Sequence, residues 1–261
     1  MNRFILKLAP GQTCRTFFFH QCLIFRVTTP SAAACAPDIY QEHFKAWVTA
    51  FDQHDNPILI PEARSDARAA QQCWYTFLQH EGLLFSPYLL VPRESDQKSV
   101  PLYLTYSNLK MSYGVIAEME ELILSKQGLR PRELLCFELD KTEKWDTPHE
   151  AEFQSFHVKT QATRGFGKLT GGTEDEACET PAFAALVKMG ENDLLVIGKT
   201  MRVVLQRAGY RLKAWEKGQF RDHQWVAEQP LDVPQDDAKT VISLTEAPKS
   251  LDLVRVKFEK R

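Results

Sequence analysis

Asn56-Pro57-Ile58-Leu59-Ile60-Pro61-Glu62-Ala63 is the stretch that orders the rest of this chain. Ile-Leu-Ile between two prolines fits a short parallel strand covered on both faces, because such strands show no polar alternation. A helix is expected at once after it. Ala67, Ala70, Cys73, Trp74, Phe77 and Leu78 recur at helical spacing, and Gly82 fits its C-terminal stop. Leu83-Leu84-Phe85-Ser86-Pro87-Tyr88-Leu89-Leu90 then reads as a second buried strand. Strand, helix and strand in this order are βαβ grammar. Glu62 falls where a strand ends, the place at which (β/α)8 enzymes carry catalytic groups. The competing reading is that Glu62 caps the next helix, where a carboxylate is also favoured.

Working outward, residues 41–52 predict an amphipathic helix with Phe44, Trp47, Val48 and Phe51 on one side, and the tryptophan is assigned to the core rather than to a sugar platform. Residues 91–101 read as a charged, proline-bounded loop. A long helix follows, in which Leu102, Tyr106, Leu109, Tyr113, Ile116, Met119 and Ile123 recur three or four apart, with Gly128 and Pro131 as its stop. Tyr103, Tyr106 and Tyr113 are expected to pack against strands rather than to form a carbohydrate surface.

From Glu133 the pattern becomes one of many short strands. Leu134–Leu139, Phe153–Thr160, Phe183–Met189, Leu194–Gly198, Met201–Gln206, Tyr210–Glu216, Val241–Leu244 and Leu251–Phe258 all read as strands, with a turn at Gly190-Glu191-Asn192-Asp193. Short strands with polar turns predict an antiparallel sandwich. The expected fold class is therefore α/β plus β, with a boundary near residues 127–132.

Ala36-Pro37-Asp38-Ile39-Tyr40, Phe44-Lys45-Ala46-Trp47, Asn56 to Arg64, Gly82 to Tyr88 and the long helix ending at Gly128 together resemble the last part of the barrel of β-galactosidase-like glycoside hydrolases of family 35 type. In that family a β-rich domain of unassigned function follows the barrel, and the second half of this chain resembles it. The resemblance implies an incomplete (β/α)8-barrel fragment, its last two to three units, over residues 35–128, and an antiparallel β-sandwich-like domain over 129–261. It makes Glu62 the match to the catalytic nucleophile of a retaining mechanism, which uses two carboxyl groups about 5–5.5 Å apart. The family's acid/base glutamate belongs to an earlier strand, and nothing before residue 35 resembles it. One carboxylate of the pair is expected and its partner is not, so the chain is expected to be inactive alone. After Ser86-Pro87-Tyr88 the sequence departs from the family: Leu89-Leu90-Val91-Pro92 stands where a small and an acidic residue are usual.

Two other functions compete with a truncated hydrolase. One is a non-catalytic carbohydrate-binding or structural β-sandwich, with Trp215, Phe220 and Trp225 as candidate sugar-stacking rings, although packing accounts for such aromatics more readily. The other is an assembly partner: two or three parallel units leave open strand edges, which could pair with another copy. The expected partner is a β-galactoside-like carbohydrate, with no cofactor, metal, nucleic acid or membrane.

Composition agrees with these limits. With 44% hydrophobic and 25% charged residues the chain is not disordered throughout. A net charge of −2 offers no electrostatic case for nucleic acid. The six cysteines, Cys14, Cys22, Cys35, Cys73, Cys136 and Cys178, contain no Cys-x-x-Cys pair, which argues against zinc and redox chemistry; Cys73 reads as a buried thiol. Gly165-Phe166-Gly167-Lys168 and Gly171-Gly172 match neither a Walker loop nor a dinucleotide fingerprint and read as a loop running into Glu174-Asp175-Glu176. His149, His157 and His223 have no metal-ligand spacing. Cysteine usage and the lack of an Asn-x-Ser/Thr site favour an intracellular, cytoplasmic protein over a secreted one. Residues 1–34, with a short apolar run from Phe17 to Phe25, are expected to be disordered or outside the fold. A signal peptide and a mitochondrial presequence are the weaker readings of that segment.

Overall fold

The computed structural model describes residues 14–19, 22–27, 33–39, 43–52, 58–63, 68–87, 100–126, 133–138, 144, 146–163, 181–233, 239–247 and 250–261. Expectations for the loop after Pro87, for Gly128 and Pro131, for the Gly165–Glu176 region, for Cys178, and for the side chains of Cys14, Cys22, Cys35, Tyr103 and Tyr106 lie outside the described residues. The fold is predominantly β, built on antiparallel sheets.

The N-terminal segment, expected to be disordered, holds three paired strands: β1 (Cys14–Phe19), β2 (Cys22–Val27) and β3 (Ala33–Pro37) form an antiparallel sheet in the order β1-β2-β3. Aromatic and β-branched residues dominate β1 and β2, and these are strand formers. The first helix, α1 (Phe44–Phe51), buries Phe44 and Val48. Trp47 is 42% exposed, against the expectation of a core position. At about 100° per residue Trp47 lies roughly 60° from Phe44 and about 100° from Val48, at the edge of the stripe they define.

β4 (Leu59–Ala63) and β5 (Leu84–Pro87) pair in parallel, and a parallel bridge joins Ile39 to Ala63. The crossover between them is helical, as expected: α2 (Ala69–Trp74) runs into a π-helical turn, Tyr75–Gln79. Its stop differs in detail. Glu81, not Gly82, takes the left-handed conformation, with φ 49°. Gly82 N–H donates to the Thr76 carbonyl at 2.9 Å, and a Cβ on Gly82 would lie 2.4 Å from Thr76 Cγ2. The glycine is required by close approach rather than by its φ. The long helix is α3 (Val100–Glu118), followed after a break at Met119 by α4 (Glu120–Lys126).

The remaining strands are β6 (Leu134–Glu138), β7 (His149–Phe153), β8 (Phe156–Ala162), β9 (Phe183–Gly190), β10 (Asp193–Lys199), β11 (Met201–Gln206), β12 (Tyr210–Arg221), β13 (Gln224–Leu231), β14 (Thr240–Ser243) and β15 (Asp252–Lys260). They form a six-stranded sheet, β13-β12-β15-β10-β9-β6, and a four-stranded sheet, β14-β11-β8-β7. Two turns were invisible in the sequence. Phe153–Thr160, expected as one strand, is split by Gln154 and Ser155, both at positive φ; Asp222 and His223 likewise turn β12 into the unexpected strand β13. Hairpin turns with two positive φ values usually advertise themselves by Asn-Gly or Asp-Gly, and neither site does.

The six-stranded sheet is buried on both faces along β9 and β10, while β13 is largely exposed. Phe137, Ala184, Leu186, Leu194, Val196, Val254, Val256 and Phe258 meet the four-stranded sheet, which contributes Phe153, Phe156, Val158, Met201, Val203, Leu205 and Ile242. The alternate residues Leu134, Cys136, Phe183, Ala185, Val187, Leu195, Ile197 and Leu253 face the helices and the parallel pair. This period-2 alternation between two apolar sets is why β9 and β10 read as continuous hydrophobic runs. Chain passes between the two sheets at Thr200, which has φ 56° and whose N–H donates to Thr245 O at 2.9 Å.

Candidate active site

Glu62 lies on β4, and its exposure depends on an irregularity in that strand. Leu59 and Ile60 pair with Leu84 and Phe85, but Ala63 pairs with Pro87, so one extra residue is inserted in β4 between Ile60 and Ala63. Ile60 and Glu62 would share a face of a regular strand. Here Ile60 is fully buried and Glu62 is exposed. A bulge of this kind re-aims a side chain, and such bulges are over-represented beside active sites. Pro61 has no N–H to lose from a ladder, which suits it to this position.

Asp38 is the neighbour that the sequence reading did not select. Ile39 N–H donates to the Glu62 carbonyl at 2.8 Å, alongside the Ile39–Ala63 bridge. Asp38 Oδ1 is buried and has no hydrogen-bond partner among the described residues. Burial, and then the charge on Glu62, push the Asp38 carboxyl up to about 6. Asp38 stands in the Ala36–Tyr40 stretch of the sequence, but nothing local shows that it meets Glu62; only the parallel pairing does.

Behind the site, Tyr113 of α3 donates its hydroxyl to the Phe85 carbonyl and so ties α3 to β5. Burial raises the Tyr113 phenol far above its usual range, with Cys73 adding to the effect, and burial likewise keeps Cys73 a thiol. The helical layer is pinned to the six-stranded sheet by Trp74 stacked on Phe183, with ring centroids 5.8 Å apart, and by two glutamines. Gln71 Oε1 accepts from Ala182 N–H at 2.9 Å, and Gln79 Oε1 from Cys136 N–H at 3.0 Å.

The other sequence candidates occupy structural positions. Phe220 is buried and meets Trp225 edge-to-face at 5.6 Å. The half-buried Trp215 and Trp225 donate their indole N–H groups to Asp232 O at 2.7 Å and to Glu216 Oε1 at 2.9 Å. His157 lies 3.0 Å from Glu152, the ring of His149 is 6.5 Å from that of Phe137, and His223 is 3.3 Å from the Glu118 carbonyl. Among the described residues no three His, Cys, Asp or Glu side chains form a metal-binding group. No described helix is long and apolar enough to cross a membrane.

Residues 109–232 match a family model described as a domain of unknown function, DUF5597. The match opens within α3 and closes just after β13, so it takes in most of both sheets but neither Asp38 nor Glu62. No curated protein matches the chain.

Proposed function

We propose that this chain carries part of a retaining glycoside hydrolase site, with Glu62 as the nucleophile and a β-galactoside-like sugar as the ligand, on a fragment of a (β/α)8 barrel. The observation that supports this most is the bulge between Ile60 and Ala63, which turns a single carboxylate outward from a parallel strand whose Ile60 and Ala63 are buried. The βαβ crossover from β4 to β5 supports the barrel reading. Nothing before residue 35 resembles the strand that carries the family's acid/base glutamate, so turnover of ordinary glycosides is expected to be slight.

A substrate that needs no acid tests the nucleophile directly. A 2,4-dinitrophenyl 2-deoxy-2-fluoro-β-galactoside should add one fluorosugar to the wild-type chain, located at Glu62 by peptide mass spectrometry, and none to Glu62→Gln. A wild-type chain that stays unlabelled would overturn this reading. Rapid hydrolysis of a chromogenic β-galactoside would instead show that a second carboxyl group completes the site, in this chain or in another copy paired through an open strand edge. A second reading is a non-catalytic carbohydrate-binding or structural module. It draws on the family match, which covers most of both antiparallel sheets and leaves Glu62 outside; sugar binding that persists unchanged in Glu62→Gln would favour it.

A further inference from the structure

The bridge between Ile39 and Ala63 sets two chain segments side by side. Both bridge residues are buried, so the residues just before them, Asp38 and Glu62, share the opposite face, on backbones about 4.8 Å apart. Glu62 reaches that face because of the bulge in β4. Asp38 places one carboxyl oxygen, Oδ1, out of solvent, and no donor among the described residues meets it. An ionised carboxylate there would be poorly solvated and repelled by a second negative charge; a neutral carboxylic acid bears neither cost.

We propose that Asp38 is a positioning residue for Glu62, the two acting as one carboxyl pair that holds a single proton, carried by Asp38. The proposal rests on Glu62 being the nucleophile. Glu62 is the neighbouring charge that acts on Asp38. β5 carries no titratable side chain from Leu84 to Pro87, and α1, which packs on β3, brings His43 and Lys45 at its start. With Asp38 protonated, Glu62 is the single negative charge of the pair. In labelling, a Glu62 oxygen forms a bond to the anomeric carbon while the bond to dinitrophenolate breaks, and that leaving group takes the electron pair. Ester formation discharges Glu62. Once Asp38 has lost its proton, this step also relieves repulsion between the two carboxylates, so labelling should accelerate several-fold as pH rises through about 6.

The test has two arms. Carboxyl ¹³C NMR titrations of wild type and Glu62→Gln should show Asp38 titrating near 6 in the first and lower in the second, because one of its two causes is removed. Titration in the ordinary aspartate range, or no response to Glu62→Gln, would overturn the pair. In the labelling arm, Asp38→Asn should remove the inflection near pH 6 and leave a flat profile. An unchanged profile in that variant would also overturn the proposal. A coupled titration together with no labelling at any pH would uphold the pair and reject the hydrolase reading, so the two failures are separable. Glu62 is exposed, and Glu62→Gln keeps the first arm readable even where Asp38→Asn folds poorly.

Discussion

One face of the six-stranded sheet is covered by a second antiparallel sheet, the other by helices and a parallel strand pair. On the sheet-on-sheet side the contact is almost wholly apolar, with Phe156 against Phe258 at 4.7 Å between centroids. On the helical side the apolar contact is supplemented by Gln71 and Gln79, whose side-chain oxygens take backbone N–H groups that no strand reaches. Two sheets can meet through side chains alone because their ladders already satisfy their backbones. A helix laid over the end of a sheet leaves backbone donors at the seam, and polar side chains must satisfy them.

The largest effects should come from removing the central aromatic of each face. Trp74→Ala and Phe156→Ala each leave a large buried cavity and should cost about 3–5 kcal/mol in denaturant titrations. If the two faces form one cooperative unit, each variant lowers a single shared transition. A separate early transition in Trp74→Ala alone would divide the molecule at the six-stranded sheet. Smaller, and specific to the helical face, is the loss of a glutamine pin. Gln71→Ala or Gln79→Ala strands a buried donor at a cost of about 1–3 kcal/mol, and hydrogen exchange should quicken at the Ala182 or Cys136 amide respectively; unchanged exchange would mean that the pins are dispensable.

Two glycines of the helical layer should respond with opposite signs. Gly82→Ala drives a Cβ to 2.4 Å from Thr76 Cγ2 and should destabilise by about 1–3 kcal/mol. Gly114→Ala, in α3 with nothing within 4 Å of the new atom, should stabilise by up to about 1 kcal/mol. Equal shifts in thermal midpoint would refute the close-approach account of Gly82. A further effect is the pH dependence from Asp38. Its folded pKa of about 6 lies above the unfolded value, so the folded state binds the extra proton. Its contribution is full below the unfolded pKa and is lost as pH rises through about 6. Thermal midpoints of wild type should fall relative to those of Asp38→Asn across that window.

Much of this organisation is legible in the residues themselves. Ile58-Leu59-Ile60 between prolines, the helical spacing around Cys73 and Trp74, and the paired apolar runs of β9 and β10 each state their structure, because burial on two faces or on one stripe is written in hydrophobic period. The turns at Gln154-Ser155 and Asp222-His223 are not legible: ordinary residues take left-handed conformations there because the strands on either side hold them. Trp47 shows the opposite limit, since an apolar residue beside a helical stripe reads as core although it is left 42% exposed.

For the site, the sequence by itself determined that a carboxylate, Glu62, follows a buried strand and a proline. Tertiary structure alone decided that a bulge turns this carboxylate outward and that Asp38 stands beside it. Hydrophobic period is a local property, carried by each segment wherever it packs. Register and adjacency between strands depend on pairing across segments distant in sequence, which no local pattern records.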